Sequence, residues 1–406
     1  MTVYDDLTRA GVSIWLDNLN RAMLVNGDLA RHVGRRNVVG LTSNPSIFEA
    51  ALSVGNDYDG AVAQLAAAGV HADAAAELIT VRDVQEACDQ LLGVWRASTG
   101  RDGRVSLEVD PRSAADAGAM TRQAIRLSGL VNRPNLMVKL PATDAGLSAI
   151  TRVTGEGVSV NVTLIFSADR YQHVVEAYLE GLELAATNGH PLPSIHSVAS
   201  FFVSRIDHEV DRRLGLLSPA PTHLRGTAAV AMAVGAYERF RASLESPRWL
   251  RLQRQGAQPQ RLLWASTGVK DPAYAPTKYV TGLVASHTVS TLPEATLGAV
   301  QEIPSAVTDT VTPTYDDARR ARQELTAAGV DLADVAATLQ REGVTTFVTA
   351  WESLLARLDH QLSSSPRVPT HPPGRDDPPA GTTGRPGRVA DPSHFPATTS
   401  HSEETP

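Results

Sequence analysis

The chain has 406 residues, 42% of them hydrophobic and 20% charged, and a formal net charge of −7 at pH 7. That balance fits a globular protein and argues against a broad nucleic-acid surface, and no apolar run approaches the ~18 residues of a membrane span. The lone cysteine, Cys88, excludes an internal disulfide and a thiolate metal site, so a reducing cytoplasm is the expected setting.

In chain order, short apolar or β-branched runs alternate with stretches of helical period. The first 30 residues carry Asp5, Asp6, Asp17 and Asp28 and do not read as a signal peptide. Strand-like runs lie at Val12–Leu16, Val38–Leu41, Val105–Val109 and Leu136–Leu140, then at Val158–Phe166, Ile195–Val203, Leu262–Ala265 and Val284–Leu292. Between them, Glu77, Val81, Val84, Cys88, Leu91 and Trp95 step along one helical stripe. Ser167 is placed to cap a helix through Tyr171, Val174, Val175, Tyr178, Leu182 and Leu184. Pro293 and Glu294 suit a helix first turn, and helical texture fills 317–328, 331–341 and 345–361. Eight strands with intervening helices predict an α/β fold, a (β/α)8 TIM barrel with additional helices, as one domain over residues 1–362. The rival is a doubly wound open sheet, which would usually show a glycine-rich phosphate turn after an early strand; none is present. Residues 363–406 hold ten of the 25 prolines and almost no large apolar side chain, so they are expected to form a disordered tail.

In such a barrel, chemistry gathers at the C-terminal ends of the strands. Asp17 ends the first run, Thr42-Ser43-Asn44 the second, and Glu108 with Asp110 the third. Lys139 lies near the end of the fourth. Asn161 and Thr163, two apart in the fifth, face one side. Ser200 and Arg205 bracket the end of the sixth, and Ser266 and Lys270 follow the seventh. Seven polar ends in succession are better explained by a pocket than by chance.

Only three residues are lysine, Lys139, Lys270 and Lys278, against 34 arginines. Arginine stays protonated, whereas a desolvated lysine can act as an amine nucleophile. Lys139 stands inside the apolar run Leu136-Met137-Val138-Lys139-Leu140. Burial there is expected to lower its pKa and free the amine for Schiff-base formation with a carbonyl. The alternative is a structural ion pair with Glu108 or Asp17. Those two carboxylates suit proton transfer, or else a cap or ion pair. Lys270 reads as an exposed loop charge able to meet a phosphate, and Lys278 as a solvated lysine. Arg205 and Ser266 are candidate phosphate ligands. The histidines lack metal-ligand spacing, and Walker and nucleophile-elbow motifs are absent.

Five blocks together resemble the transaldolase family. They are Leu41-Thr42-Ser43-Asn44-Pro45-Ser46, Val105-Ser106-Leu107-Glu108-Val109-Asp110, Val138-Lys139-Leu140-Pro141-Ala142-Thr143, Asn161-Val162-Thr163-Leu164-Ile165-Phe166 and Ser200-Phe201-Phe202-Val203-Ser204-Arg205. They stand in the family's order, and the length is similar to its longer bacterial form. The resemblance implies a barrel with no metal or organic cofactor that transfers a dihydroxyacetone unit between sugar phosphates in the non-oxidative pentose phosphate pathway. It gives Lys139 the Schiff base, Asp17 the proton of the C4 hydroxyl, and Glu108 with Thr163 a catalytic water. Asn44, Asn161 and Ser200 become hydroxyl ligands, Arg205 a phosphate ligand and Phe202 a pocket wall. The phosphate loop departs from the shorter members, which carry an arginine soon after the serine matching Ser266; Lys270 is the candidate replacement. Sugar phosphates are the implied partners, with no nucleic acid or membrane, for a monomer or homodimer. The alternatives are a related aldolase that releases free dihydroxyacetone, and a non-catalytic sugar-phosphate-binding protein.

Overall fold

The apolar runs form strands because both faces of each are covered, inward by the other strands and outward by helices. In the computed structural model, which describes residues 2–303 and 307–364, eight strands are present. They are β1 (Val12–Leu16), β2 (Val38–Leu41), β3 (Arg104–Glu108), β4 (Leu136–Pro141), β5 (Val160–Ile165), β6 (Ser197–Phe202), β7 (Gln260–Ala265) and β8 (Thr288–Leu292). All pair in parallel in sequence order, and β8 closes on β1 to complete the barrel. The (β/α)8 barrel read from the sequence is therefore the observed fold, and the open-sheet rival is not. The runs expected from Ile195 and Val284 begin two and four residues before their strands, where the chain is still loop, whereas β7 begins two residues before the expected Leu262.

The helices follow local signals. Ser167 caps Ala168–Thr187 by accepting from the Arg170 amide, and Asn44 caps Pro45–Ser53 by accepting from Ile47. The helix Ala72–Ala97 buries Val81, Val84, Cys88 and Leu91 from the expected stripe. The two helical stretches read at 331–341 and 345–361 are one continuous helix, Leu332–Ser364. The glycine between them, Gly343, does not stop it. It meets the Leu164 side chain at the end of β5, where an added Cβ would stand 2.8 Å from Leu164 Cδ2. Of the expected tail, Ser363 and Ser364 belong to this helix, and the rest lies outside the described residues.

The barrel floor, at the N-terminal ends of the strands, is built on two buried arginines. Arg104 donates from Nε to the Gly100 carbonyl at 2.7 Å and from Nη1 to that of Pro134 at 3.2 Å. Arg261 donates to the Ser13 hydroxyl at 2.8 Å, the Arg101 carbonyl at 2.9 Å and the Asp102 carboxylate at 3.0 Å. Burial and the neighbouring Arg261 push the Arg104 guanidinium down to about 10. Burial and the same two cations push His196 down to about 3, so it stays neutral. Among the described residues, no helix is long and apolar enough to cross a membrane.

Candidate active site

The opposite end of the barrel holds the side chains that the sequence placed there. A cavity of about 140 Å³ is lined by Asp17, Asn44, Lys139, Thr163, Ser200, Phe202, Arg205 and Ser266. Thr42, Ser46, Ala265, Thr291 and Phe347 complete the wall.

Lys139 is the fourth residue of β4 and points inward, 4% exposed. Its Nζ donates to the Ser43 carbonyl at 3.0 Å and lies 3.1 Å from Glu108 Oε2. Strand register explains the second contact, since Glu108 on β3 is the Cα partner of Lys139 on β4. The ion pair with Glu108 weighed from the sequence is thus present, in the same place as the candidate nucleophile. Burial pushes the Glu108 carboxyl above the usual carboxylate range; Lys139 pulls it down, and the Asp17 charge pushes it further up. Burial also raises Asp17, against Lys139 and a hydrogen bond from the Thr42 hydroxyl at 2.8 Å. Two carboxylates that hold protons more tightly than usual thus act on the same amine's surroundings, an arrangement suited to passing protons.

Around this core the fifth and sixth strands supply polar groups. The Thr163 hydroxyl is fully buried and has no hydrogen-bond partner among the described residues. Next to it Leu164 takes a left-handed φ of +61°, where β5 slips register against β6. A non-glycine residue held there stores strain beside the site. Asn161, two residues earlier, does not line the cavity. Its amide donates to Ser106 at 2.9 Å and accepts from the Ser200 hydroxyl at 2.7 Å. Asn44 spends its side-chain oxygen on the Ile47 amide, which leaves its amide nitrogen for the cavity it lines.

Farther out, Arg205 sits on the first turn of Ser204–Leu214, its guanidinium carbon 5.7 Å from the Phe202 ring. Burial pushes this guanidinium down, with Glu342 opposing, and no carboxylate of the described residues forms an ion pair with it. Ser266, at φ +55°, shares a 2.9 Å hydrogen bond with Ser204. A half-buried cation with two nearby hydroxyls matches an anion such as phosphate.

Of the two remaining lysines, one keeps its sequence reading as an exposed charge and the other does not. Lys270 is exposed and does not line the cavity; it borders a neighbouring depression with His208, Arg212 and Arg225. Lys278 is half-buried rather than freely solvated. Its Nζ meets Asp207 at 2.7 Å and lies 3.8 Å from the Tyr274 ring centroid, because the loop before it folds onto the buried face of Ser204–Leu214. Sequence reasoning missed Thr291, whose hydroxyl lies 2.7 Å from that of Thr42, and Phe347, whose ring centroid is 5.6 Å from Lys139 Nζ. Alternation along β8 pointed to Thr291; no local signal marked Phe347.

A closed parallel barrel whose mouth buries an amine beside one carboxylate, with a second carboxylate lining the same cavity, fits a class: barrel enzymes that work through a lysine on carbonyl substrates. Residues 14–358 match the family model described as Transaldolase/Fructose-6-phosphate aldolase. The chain is 52% identical over 361 residues to a protein named Transaldolase from Mycobacterium bovis (strain BCG / Pasteur 1173P2), covering 88% of this chain and 97% of that one. It is 51% identical over 359 residues to a Transaldolase from Thermobifida fusca (strain YX), covering 88% and 98%. The chain belongs to the transaldolase/fructose-6-phosphate aldolase family. It is an enzyme, a transferase that moves a dihydroxyacetone unit.

Proposed function

We propose that the cavity carries this transfer as follows, on sedoheptulose 7-phosphate or fructose 6-phosphate as donor, with glyceraldehyde 3-phosphate and erythrose 4-phosphate as acceptors. The observation that carries the reading is the buried Lys139 amine 3.1 Å from Glu108, in a cavity also lined by Asp17 and Arg205. Glu108, with its raised proton affinity, takes a proton from Lys139, and the neutral amine attacks the C2 ketone. Glu108 and a water held with the Thr163 hydroxyl then move the protons that turn the carbinolamine into an iminium. Asp17 removes the C4 hydroxyl proton, the C3–C4 bond breaks, and its electron pair flows into the iminium to give an enamine. The aldose phosphate leaves, and an acceptor aldehyde adds to C3 by the reverse steps.

Asn44 and Ser200 hold the hydroxyls of the three-carbon unit, and Asn161 sets Ser200 through their 2.7 Å bond. Arg205 and Ser266 bind the phosphate; Phe202 closes one wall. Lys270, outside the cavity lining, assists only by attracting the anionic substrate. The compartment we assign is the cytoplasm, in keeping with the single free cysteine. The deciding experiment is reduction with borohydride in the presence of fructose 6-phosphate, followed by peptide mass mapping. A three-carbon adduct on Lys139 is the expected result; an adduct on Lys270 or Lys278 overturns the assignment.

A further inference from the structure

A transferase of this kind differs from an aldolase only in the fate of the three-carbon enamine on the lysine. If C3 is protonated and water adds to C2 of the resulting iminium, the C–N bond breaks, the Lys139 amine returns and free dihydroxyacetone leaves. If C3 waits for an aldehyde, the unit is transferred. The partition therefore depends on what stands over the lysine while the enamine is exposed.

We infer that Phe347, on the helix Leu332–Ser364, is that cover and sets the partition between transfer and release. Its ring, 4% exposed, lines the cavity with its centroid 5.6 Å from Lys139 Nζ. Phenylalanine has no proton to donate and fills space that water would take. The helix is fastened so that the ring keeps its place. About two turns earlier, Gln340 donates from Nε2 to the Ala142 carbonyl at 2.8 Å and to that of Leu164 at 3.2 Å, tying the helix to the ends of β4 and β5. Gly343 then lets the helix come down onto Leu164. Three contacts by one helix, at the strands bearing Lys139 and Thr163, give this segment a specific seat over the reacting atoms.

This inference rests on the Schiff-base reading above, and its test separates the two. Release of dihydroxyacetone from fructose 6-phosphate without acceptor is compared with transfer to erythrose 4-phosphate, in the full-length protein. Phe347→Ala is expected to raise the ratio of release to transfer by about tenfold, because water gains access to the enamine. Phe347→Tyr, which keeps the ring and adds a proton donor, is expected to raise the ratio by less. The borohydride adduct on Lys139 persists in both. An adduct with an unchanged ratio in Phe347→Ala, or in Phe347→Tyr where the alanine variant does not fold, overturns the role of Phe347. Loss of the Lys139 adduct from the wild-type enzyme overturns the Schiff-base reading instead.

Discussion

The two ends of the barrel each bury positive charge, but in different chemical form. At the floor, Arg104 and Arg261 sit among carbonyls, a hydroxyl and Asp102, with donors on both guanidiniums satisfied. At the mouth, Lys139 has one carbonyl and one carboxylate beside a cavity. A guanidinium stays charged and offers donors in a rigid fork, so it suits a site whose task is to join strand starts. An amine can give up its proton, so it suits a site where a bond must form. On the proposed mechanism, the barrel therefore assigns its cations by the chemistry each end requires.

The sharpest way to break this comparison is to put a guanidinium where the amine stands. Lys139→Arg keeps a cation beside Glu108 but removes the nucleophile, and kcat for transfer is expected to fall by about 10⁴-fold or more. Turnover near wild type in a steady-state assay contradicts covalent catalysis. At the floor the opposite split is expected. Arg261→Met leaves Asp102 buried without its main partner and costs about 3–5 kcal/mol in urea unfolding, while kcat of the folded enzyme is unchanged. A loss of kcat with stability intact shows that the floor is not merely structural.

Arg205 joins the two regions, since it is an arginine at the mouth with no ion-pair partner among the described residues. Arg205→Ala removes charge-assisted hydrogen bonds of about 1.5–3 kcal/mol, so KM for fructose 6-phosphate rises roughly 10- to 100-fold. The measurement that counts is the same ratio with unphosphorylated fructose; an equal rise there removes the phosphate role. The smallest effect concerns Asp17, which in the proposed mechanism must be ionised to take the C4 proton. Burial raises its pKa, so kcat falls as pH drops through that raised value, sooner than for an ordinary carboxylate. The Thr42 hydrogen bond works the other way. Thr42→Val therefore moves the acid limb of the kcat profile to higher pH, and a move to lower pH counts against Asp17 as the base.

Some of the site was legible because strand ends carry it. Asp17, Glu108, Lys139 and Thr163 all lie on or just after apolar runs whose period shows which face turns inward. The scarcity of lysine and the apolar run around it singled out Lys139, whereas the surroundings of Lys278 suggested a solvated side chain and gave no sign of the Asp207 carboxylate it meets. Asn161 was legible as inward-facing, not as a residue whose amide is already engaged by two hydroxyls. The interruption read around Gly343 reflects its low helix propensity, which packing against Leu164 overrides.

Local pattern determined the eight strands, their order as candidates for a parallel barrel, and the set of side chains at its mouth. Periodicity and caps act over a few residues, and those are what a sequence displays. Only tertiary structure decided that Glu108 and Lys139 share a register, that Thr291 backs Thr42, and that Phe347 lies over an amine some two hundred positions earlier in the chain. Those facts depend on barrel closure and on where the last helix lands, and both are set by packing among distant segments.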